Sequence, residues 1–155
     1  MDGIIDIYLP DIKYSNDIYA RKYSGAKEYR FHSKKAIKEM YRQVGLLKVD
    51  EHGIAQRGII IRHLVLPNDI SGTTDCLEWI VKELSTEVTV SLMAQYYPAH
   101  RAERIPILSR RLKRREYDEA LMALERLGLT EGLCQQLISA DHYRPHFFKE
   151  NHPFE

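Results

Sequence analysis

The sequence predicts an α/β fold, because short apolar runs typical of strands alternate along the chain with segments of helical periodicity. The central run, residues 57–67, is rich in β-branched aliphatic residues and shows no helical spacing, as in a strand covered on both faces. Two further strand-like runs cover residues 4–9 and 88–93, and a helical pattern follows each of the three. Strands separated by crossover helices pair in parallel, so we expect a parallel sheet.

The first unit begins with a strand over residues 4–9, which ends at Pro10. Capping side chains at residues 15–17 and a glycine at position 25 predict a short helix over residues 18–23. A longer helix is predicted from residue 33 to residue 44, where Gly45 follows as a stop. Its apolar positions are Ala36, Ile37, Met40, Tyr41 and Val44. Residues 46–55 predict a small hairpin or a loop before the central strand.

The second half of the chain continues the alternation. After a turn at residues 68–72, a helical stripe at Leu77, Ile80, Val81 and Leu84 leads to the strand over residues 88–93. A long loop precedes the last strong helix, whose apolar positions run from Tyr117 to Leu127. Residues 133–138 are a candidate short strand. We therefore predict one domain over residues 1–140 and an irregular tail over residues 141–155.

Composition and length place limits on the class of protein. The chain has 155 residues, a formal net charge of +1 and 44% hydrophobic residues, without an apolar run of membrane length. This predicts one soluble domain with no transmembrane span and no signal peptide. Cys76 and Cys134 lie too far apart in sequence to indicate a disulfide framework or a metal-binding knuckle, so a cytoplasmic location is expected. The charge balance gives no case for nucleic acid.

Arg62 is a charged residue in the middle of the central strand. Because side chains alternate along a strand, Arg62 shares a face with Ile60 and Leu64, and His63 lies on the opposite face. An unpaired buried guanidinium costs several kcal/mol, so Arg62 should meet an anion or face a wet cavity. Two interpretations follow: a core arginine paired with a carboxylate, or an arginine lining a binding cavity at the strand's carboxyl end, which we favour.

Other polar residues are predicted near the same end of the sheet. Asp11 and Lys13 follow the first strand, and Ser91 and Gln95 belong to the third. The carboxyl ends of parallel strands are where such folds bind ligands. A carboxylate, an ammonium and a guanidinium around one pocket would suit a zwitterionic ligand. The alternative is that Asp11 and Lys13 form an exposed ion pair of little energetic worth.

Three segments, residues 7–14, 61–67 and 91–98, resemble in this order the carboxyl-terminal half of radical S-adenosylmethionine proteins. The group they resemble is the one related to the pyruvate formate-lyase activating enzyme, and the resemblance extends to about Gln136. It implies that the three strands are the last three of a six-stranded partial (β/α)6 TIM-like barrel, that is, half of that barrel.

The resemblance also implies roles for individual residues. Asp11 and Lys13 match an Asp-x-Lys motif that lies against the methionyl moiety of S-adenosylmethionine, and Arg62 matches an arginine that approaches the same cofactor. A family histidine near the cofactor has no clear counterpart, so Gln95, Tyr97 and His100 remain alternatives for its role. The implied cofactor-binding set is Asp11, Lys13, Arg62, Gln95 and Tyr97.

The family signature of three cysteines at Cys-x3-Cys-x2-Cys spacing is absent from this sequence, as is a Gly-Gly-Glu-like stretch for the cofactor's amine. Two distant cysteines cannot replace thiolates that hold a [4Fe–4S] cluster. We therefore expect this chain alone to hold no cluster or cofactor and to be inactive. The abrupt entry from Met1 into a strand suggests that the amino-terminal half was left out, is encoded separately, or has been lost.

The leading functional hypothesis is the carboxyl-terminal half of a radical S-adenosylmethionine enzyme, an oxidoreductase or activase acting on a protein or peptide substrate. In the intact enzyme, reductive cleavage of the cofactor at the cluster would give a deoxyadenosyl radical, and this half would supply positioning and electrostatics. The expected partner is the missing amino-terminal half or a separate chain. Neither nucleic acid nor membrane is expected as a partner.

Two other classes compete with this hypothesis. The first is a non-catalytic half-barrel that oligomerises or docks onto a partner through its exposed sheet, since three parallel strands leave a face and an edge uncovered. The second is a metal-dependent hydrolase using His142, His146 and His152, although Pro145 would break a helix between the first two.

Two sequence features remain, a basic run and a pair of tyrosines. A basic run over residues 110–115 is followed by Glu116, Asp118 and Glu119, which predicts a solvated, self-neutralising face rather than a site for an acidic partner. Tyr96 and Tyr97 are interpreted equally well as a ligand-stacking pair or as a packed lid.

Overall fold

The computed structural model describes residues 2–134, which form an α/β fold around a five-stranded, mainly parallel sheet. The strands are β1 (Ile7–Tyr8), β2 (Lys48–Val49), β3 (Ala55–Leu64), β4 (Thr89–Met93) and β5 (Leu133–Cys134). The helices are α1 (Asp17–Ser24), α2 (Tyr29–Val44), α3 (Thr73–Glu83) and α4 (Arg114–Arg126). Short 3-10 turns cover Pro67–Asp69 and His100–Arg104. The predicted class and the alternation of strands and helices are confirmed.

Four strands are parallel and lie in the order β1-β3-β4-β5, with β3 and β4 at the centre. The register sets Ile7 beside Gly58 and Arg62 beside Ser91. Beyond β1, an isolated parallel bridge joins Asp11 to Arg62, so the pairing resumes past Pro10. The first strand is thus shorter than predicted over residues 4–9, because residues 2–4 form a turn and only Ile7 and Tyr8 reach β3.

The helix α1 has the predicted caps. The Asn16 side chain accepts a hydrogen bond from the Tyr19 amide, and Gly25 closes the helix in the left-handed conformation. The helix α2 begins at Tyr29, four residues before the predicted start at residue 33. Its N-cap, Glu28, has a positive φ of 51° and makes no side-chain cap, so the sequence there carries no recognisable start signal. Ala36, predicted on the apolar stripe, is exposed.

The predicted hairpin is also present, because β2 pairs antiparallel with the first residues of β3. At Gly58 the strand passes the backbone of Leu46 and Leu47 so closely that a Cβ atom would lie 2.4 Å from the Leu46 carbonyl oxygen. Its φ of +130° is also one that other residues rarely adopt. A glycine is therefore required where the hairpin folds back against β3.

The helices cover one face of the sheet. Ile59, Ile61, His63 and Val65 of the central strand segment are buried on that face, among the apolar residues of α2, α3 and α4. Ile60, Arg62 and Leu64 alternate with them and are only half-buried. The predicted division of the β3 side chains between two faces is confirmed, and the second face is the more open one.

A second apolar cluster lies near the carboxyl end of the sheet. Its buried members are Tyr14, Ala20, Leu66, Ile70 and Leu108. Tyr96 packs against this cluster and donates a hydrogen bond to the Leu108 carbonyl oxygen at 2.8 Å, so this residue follows the packed-lid interpretation. This hydrogen bond lies within the long loop after β4, and the shared apolar cluster packs that loop against Tyr14 in the loop that follows β1.

Two predictions reach past the described residues. The strand predicted over residues 133–138 is present at Leu133–Cys134, where it pairs with β4. Its remainder, the tail over residues 141–155 and the three tail histidines lie outside the described residues. Within residues 2–134, none of the helices has the length and apolarity needed to cross a membrane.

Candidate functional site

Asp11 and Arg62 form an ion pair on the more open face of the sheet, near the carboxyl end of β3. Arg62 Nε donates to Asp11 Oδ1 at 2.7 Å, and the two side chains are 42% and 44% exposed. This arrangement combines the two interpretations of Arg62, because the arginine has a carboxylate partner yet faces an accessible surface. An ion pair this exposed contributes little stability, on the order of 0–1 kcal/mol.

The backbone around this pair is held by strand-like hydrogen bonds. The Arg62 amide donates to the Pro10 carbonyl oxygen, and the Ile12 amide donates to the Arg62 carbonyl oxygen, each at 2.9 Å. Ile12 is fully buried, while Asp11 and Lys13 on either side of it are not. This alternation agrees with the prediction that Asp11 and Lys13 share one side of an extended segment.

The segment is also held from the buried side by His63. Its Nδ1 donates to the Ile12 carbonyl oxygen at 2.7 Å, so Nε2 must accept from the Thr73 hydroxyl at 3.0 Å in the neutral ring. His63 is fully buried, and desolvation lowers its pKa to about 4 despite the opposing effect of the Ile12 hydrogen bond. At neutral pH an uncharged histidine therefore connects the loop after β1 to the start of α3.

The backbone of Lys13 is fastened to α2. Its amide donates to the Tyr29 hydroxyl at 2.7 Å, and the Tyr29 ring packs edge-on against Tyr14 with ring centroids 5.6 Å apart. Burial raises the pKa of Tyr29, which stays protonated at neutral pH. Lys13 is half-buried. The loop that carries the predicted Asp-x-Lys motif is thus held at Ile12 by His63 and at Lys13 by Tyr29.

The remaining predicted site residues occupy the strand and loop next to Arg62. Ser91 pairs with Arg62 in the sheet register and is half-buried. Gln95 follows β4, and its Nε2 lies 3.7 Å from Met93 Sδ. The Arg111 guanidinium lies over the Tyr97 ring, 5.0 Å from its centroid. His100 is exposed and has a positive φ of 53°.

A cavity of about 420 Å³ does lie near the end of β3, but Arg62 is not part of its lining. It is formed on the side where α3 and α4 pack, and its walls include Asp69, Thr73 and Glu116. Arg62 lies on the other, open face. Within residues 2–134, the binding cavity expected around Arg62 is therefore an exposed surface.

The open face exposes apolar as well as charged side chains. Leu9, next to the Asp11 segment, is 51% exposed, and Leu133, which pairs with Ser91, is 54% exposed. The helix-covered face at the same strands is buried. A sheet with one covered and one open face is what a barrel wall or an interface would present.

The residues around Arg62 fit part of a zwitterionic cofactor. Arg62 uses only Nε for Asp11, and within residues 2–134 its two terminal nitrogens bond to no protein atom, so they remain available to a carboxylate. The Asp11 carboxylate could accept from an amine. The described residues do not include a set of ligands for an iron–sulfur cluster, because no three potential metal ligands among them lie together. Cys76 is buried with its thiol pKa raised to about 12, and Cys134 is exposed on β5.

The basic run before α4 is largely neutralised by the acidic residues that follow it, as predicted. Arg110 makes a two-point ion pair with Glu116, while Arg114 and Arg115 pair with Asp118 and Glu119 one turn away. Glu116 also accepts hydrogen bonds from the amides of Lys113 and Asn68. These contacts hold the pKa of Glu116 at about 2, with the Arg110 hydrogen bond the largest cause.

His63 and Tyr29 are the two residues of this site that sequence reasoning missed. The alternation of β3 assigned His63 to the face opposite Arg62, but only the fold brings Ile12 and Thr73 to its two nitrogens. Tyr29 lay before the predicted start of α2, and its contact with Lys13 crosses 16 positions of the sequence. The sequence signal for the His63 contact was a histidine within an apolar strand, followed by the hydroxyl residues Ser71 and Thr73.

Comparison with known proteins gives one relative. The chain is 32% identical over 130 residues to the uncharacterized protein MJ0674 of Methanocaldococcus jannaschii. The match covers 83% of this chain but 34% of the relative, so this chain spans about a third of the length of the protein that it matches. No protein-family model matches the chain. No solved structure matches it either.

Proposed function

We propose that this chain is the carboxyl-terminal part of a radical S-adenosylmethionine-type protein, resembling the group of pyruvate formate-lyase activating enzymes. In this proposal, the open face of the sheet is the inner wall of a partial (β/α)6 barrel whose other wall is supplied by another segment or chain. The observation that carries it is the Asp11–Arg62 pair, which lies near the carboxyl end of parallel strands, on the face that the helices of residues 2–134 leave more open.

The assigned roles follow from charge and position. Arg62 would bind the methionyl carboxylate through its free terminal nitrogens, with Lys13 adding a second positive charge. Asp11 would orient Arg62 and accept from the methionyl amine, and Gln95 and Tyr97 would lie at the rim beyond β4. In the intact protein, a reduced iron–sulfur cluster would supply the electron for cofactor cleavage, leading to radical chemistry on a protein or peptide substrate.

Two further observations support the proposal. The motif-bearing segments after β1, in β3 and after β4 lie on neighbouring parallel strands, as a shared pocket would require. The relative is about three times longer than the matched region, which leaves room for a cluster-binding segment.

The test measures S-adenosylmethionine binding by a longer protein that contains a Cys-x3-Cys-x2-Cys triplet. That protein is encoded either by the same reading frame extended upstream of Met1 or by this frame together with a neighbouring one. Titration calorimetry with S-adenosylmethionine should show binding that Arg62→Ala weakens by about 1.5–3 kcal/mol, the range for a hydrogen bond to a charged group. Arg57→Ala is the matched control, because Arg57 lies near the other end of the same strand and its side chain is 43% exposed. Equal effects of the two variants, or no triplet in either frame, would contradict the proposal.

The second candidate is a non-catalytic module that oligomerises through the open sheet. The exposed side chains of Leu9 and Leu133 favour it, because they are apolar residues at the surface of a sheet. It predicts a stable dimer of this chain without measurable affinity for S-adenosylmethionine. Analytical ultracentrifugation combined with the same calorimetric titration separates the two candidates.

A further inference from the structure

The solvent side of α2 carries a row of cations. Arg30, Lys34, Lys38 and Arg42 are spaced four residues apart, so they lie on one face of the helix, and Lys35 lies beside them. The row flanks the buried stripe of α2 that contains Ile37 and Val44, and it lines the side of the helix next to Trp79 and Glu83 of α3. The row belongs neither to the Asp11–Arg62 site nor to the open sheet face.

The row forms one wall of a groove between α2 and α3, with a volume of about 860 Å³. Two aromatic residues contribute to the groove: Phe31, which is 63% exposed, and Trp79 of α3, which is half-buried. Exposed aromatic rings beside cations are a composition that protein surfaces use for recognition, since Trp and Arg are enriched among residues that dominate binding energy.

The charges divide the groove into two parts. At the carboxyl end of α2, Arg42 pairs with Glu39 and Asp2, and Lys38 pairs with Glu83. At the amino end, Arg30, Lys34 and Lys35 form no ion pair with any carboxylate of residues 2–134. This second group, Arg30, Lys34 and Lys35, is called the open cation cluster below.

The open cation cluster is crowded and lies against the aromatic rings. The Lys34 ammonium lies 5.0 Å from the centroid of the Trp79 ring, and the Lys35 ammonium lies 5.8 Å from that of Phe31. Burial and the neighbouring Arg30 cation lower the pKa of Lys34. An anion placed among these three groups would relieve their mutual repulsion.

We propose that this groove is a docking site for a short acidic segment of a partner protein, with its carboxylates on the open cation cluster and an apolar side chain against Phe31 and Trp79. The three cations complement two or three carboxylates, and the aromatic floor provides the apolar contact that a purely electrostatic site would lack. The site is separate from the proposed cofactor surface, because its residues belong to α2 and α3, which pack on the sheet face opposite Arg62.

The same observations disfavour nucleic acid and lipid as occupants. The open cation cluster covers only six residues of helix, a rise of about 7.5 Å at 1.5 Å per residue, which is short for a strand of several nucleotides. A polyanion continuing along the groove would meet the carboxylates of Glu39 and Glu83. A chain with a net charge of +1 also offers little long-range attraction to a phosphate backbone or an anionic membrane.

Trp79 is the single tryptophan of the chain, so its fluorescence reports on this groove alone. The probe is a twelve-residue peptide of aspartate, glutamate and leucine without aromatic residues, titrated into the full chain. We expect a saturable change in Trp79 emission that weakens as salt increases. A peptide with lysine in place of every acidic residue should produce no change.

The paired variant Lys34→Glu and Lys35→Glu should weaken peptide binding at least tenfold. Lys48→Glu, an exposed lysine on β2 outside the groove, should leave it unchanged, and far-UV circular dichroism verifies that each variant is folded. Because a charge reversal could disturb α2, Lys34→Gln is measured as a milder variant and should weaken binding in the same direction.

Parallel titrations with a single-stranded oligonucleotide and with phosphatidylserine vesicles test the other two occupants. Tighter binding of either one, reversed by the same lysine variants, would overturn the proposal in favour of that ligand. Absence of any change in Trp79 emission with the acidic peptide, or equal effects of the Lys34, Lys35 and Lys48 variants, would also overturn it.

Discussion

The ion pair between Asp11 and Arg62 is partly exposed, so its contribution to folding and its contribution to ligand binding can be measured separately. Both side chains are about two-fifths exposed, so water screens their attraction in the free protein. The same exposure leaves the terminal nitrogens of Arg62 accessible to a ligand. The ion pair therefore contributes little to the stability of the fold.

We therefore predict small stability effects at this pair. Asp11→Asn and Arg62→Gln should each change the free energy of unfolding in urea by less than about 1 kcal/mol, and the double-mutant cycle should give a coupling energy within the same limit. A coupling energy of 3 kcal/mol or more would mean that the pair serves the fold, and the proposed cofactor role of Arg62 would lose its main support.

His63 should make stability depend on pH. Its pKa of about 4 in the folded protein lies below the ordinary value of 6.5, so the unfolded chain binds a proton first as the pH falls. The contribution of the neutral ring is complete above pH 6.5 and is lost progressively down to about pH 4. From the shift of the pKa it amounts to roughly 3 kcal/mol.

The measurement is urea unfolding at several pH values between 7 and 4, on the wild type and on His63→Gln. Glutamine can donate to the Ile12 carbonyl oxygen and accept from Thr73 without titrating, so this variant should lose part of the pH dependence in that interval. His63→Leu should be less stable than His63→Gln at pH 7, because it removes the ring donor to the buried Ile12 carbonyl oxygen and leaves the Thr73 hydroxyl with Ser71 as its side-chain partner. Identical pH profiles for wild type and glutamine variant would show that other groups control acid unfolding.

At the scale of elements, the start of α4 depends on Glu116. This side chain caps the helix through the Lys113 amide and also bonds to Arg110 and to the Asn68 amide in the turn after β3. Glu116→Gln should therefore lower the free energy of unfolding by about 1–2 kcal/mol, since it removes a charged cap shared by two elements. Thermal unfolding followed by circular dichroism provides the measurement.

Glu119→Gln is the matched control for that prediction. Glu119 lies in the same helix and pairs with Arg115 one turn away, but both side chains are more than half exposed. Its loss should cost no more than about 0.5 kcal/mol. If the two substitutions were equally harmful, the network around Glu116 would have no special part in joining α4 to β3.

Gly58 determines whether the hairpin can close against β3. A Cβ at this position would lie 2.5 Å from the Leu47 Cα atom, a backbone contact that no side-chain rotation relieves. Gly58→Ala should destabilise the protein by about 3 kcal/mol or more, whereas Gly53→Ala in the hairpin turn, where no atom lies within 4 Å, should cost about 1–2 kcal/mol for its positive φ. Similar losses in chemical denaturation would show that the close approach at Gly58 is relaxed in solution.

At the scale of the whole molecule, the uncovered sheet face should control self-association. Leu9 and Leu133 project from it at opposite edges of the sheet. If copies of this chain pair through that face, Leu9→Lys should shift the sedimentation of the chain toward monomer, and Met122→Lys, an exposed apolar position on α4, should not. A monomer at all concentrations in the wild type would exclude the oligomerising module.

Local sequence patterns were sufficient for the elements and for the division of β3 into two faces. Alternation predicted that Ile61 and His63 share the face opposite Arg62, where both are buried, and capping residues predicted α1 nearly to the residue. They failed at the start of α2, where Glu28 supplies no cap, and in the length of β1, which is decided by its partner strand. Those boundaries depend on tertiary contacts that a local window does not contain.

The candidate site was predictable in composition but not in geometry. Placing Asp11, Lys13 and Arg62 at one end of a parallel sheet required only the order of strands and the chain direction. The direct bond between Asp11 and Arg62, and the support from His63 and Tyr29, depend on register and on contacts across 16 to 51 sequence positions. Such contacts become visible only when the strands are paired.

The contrast between the two cysteines makes the chain suitable for labelling without mutagenesis. Cys134 is exposed on β5, at the edge of the sheet, whereas Cys76 is on the buried side of α3 with its thiol pKa raised to about 12. A maleimide dye at neutral pH should therefore attach to one position of the native protein, next to the uncovered face. The emission of that dye would then report any partner that closes over the sheet.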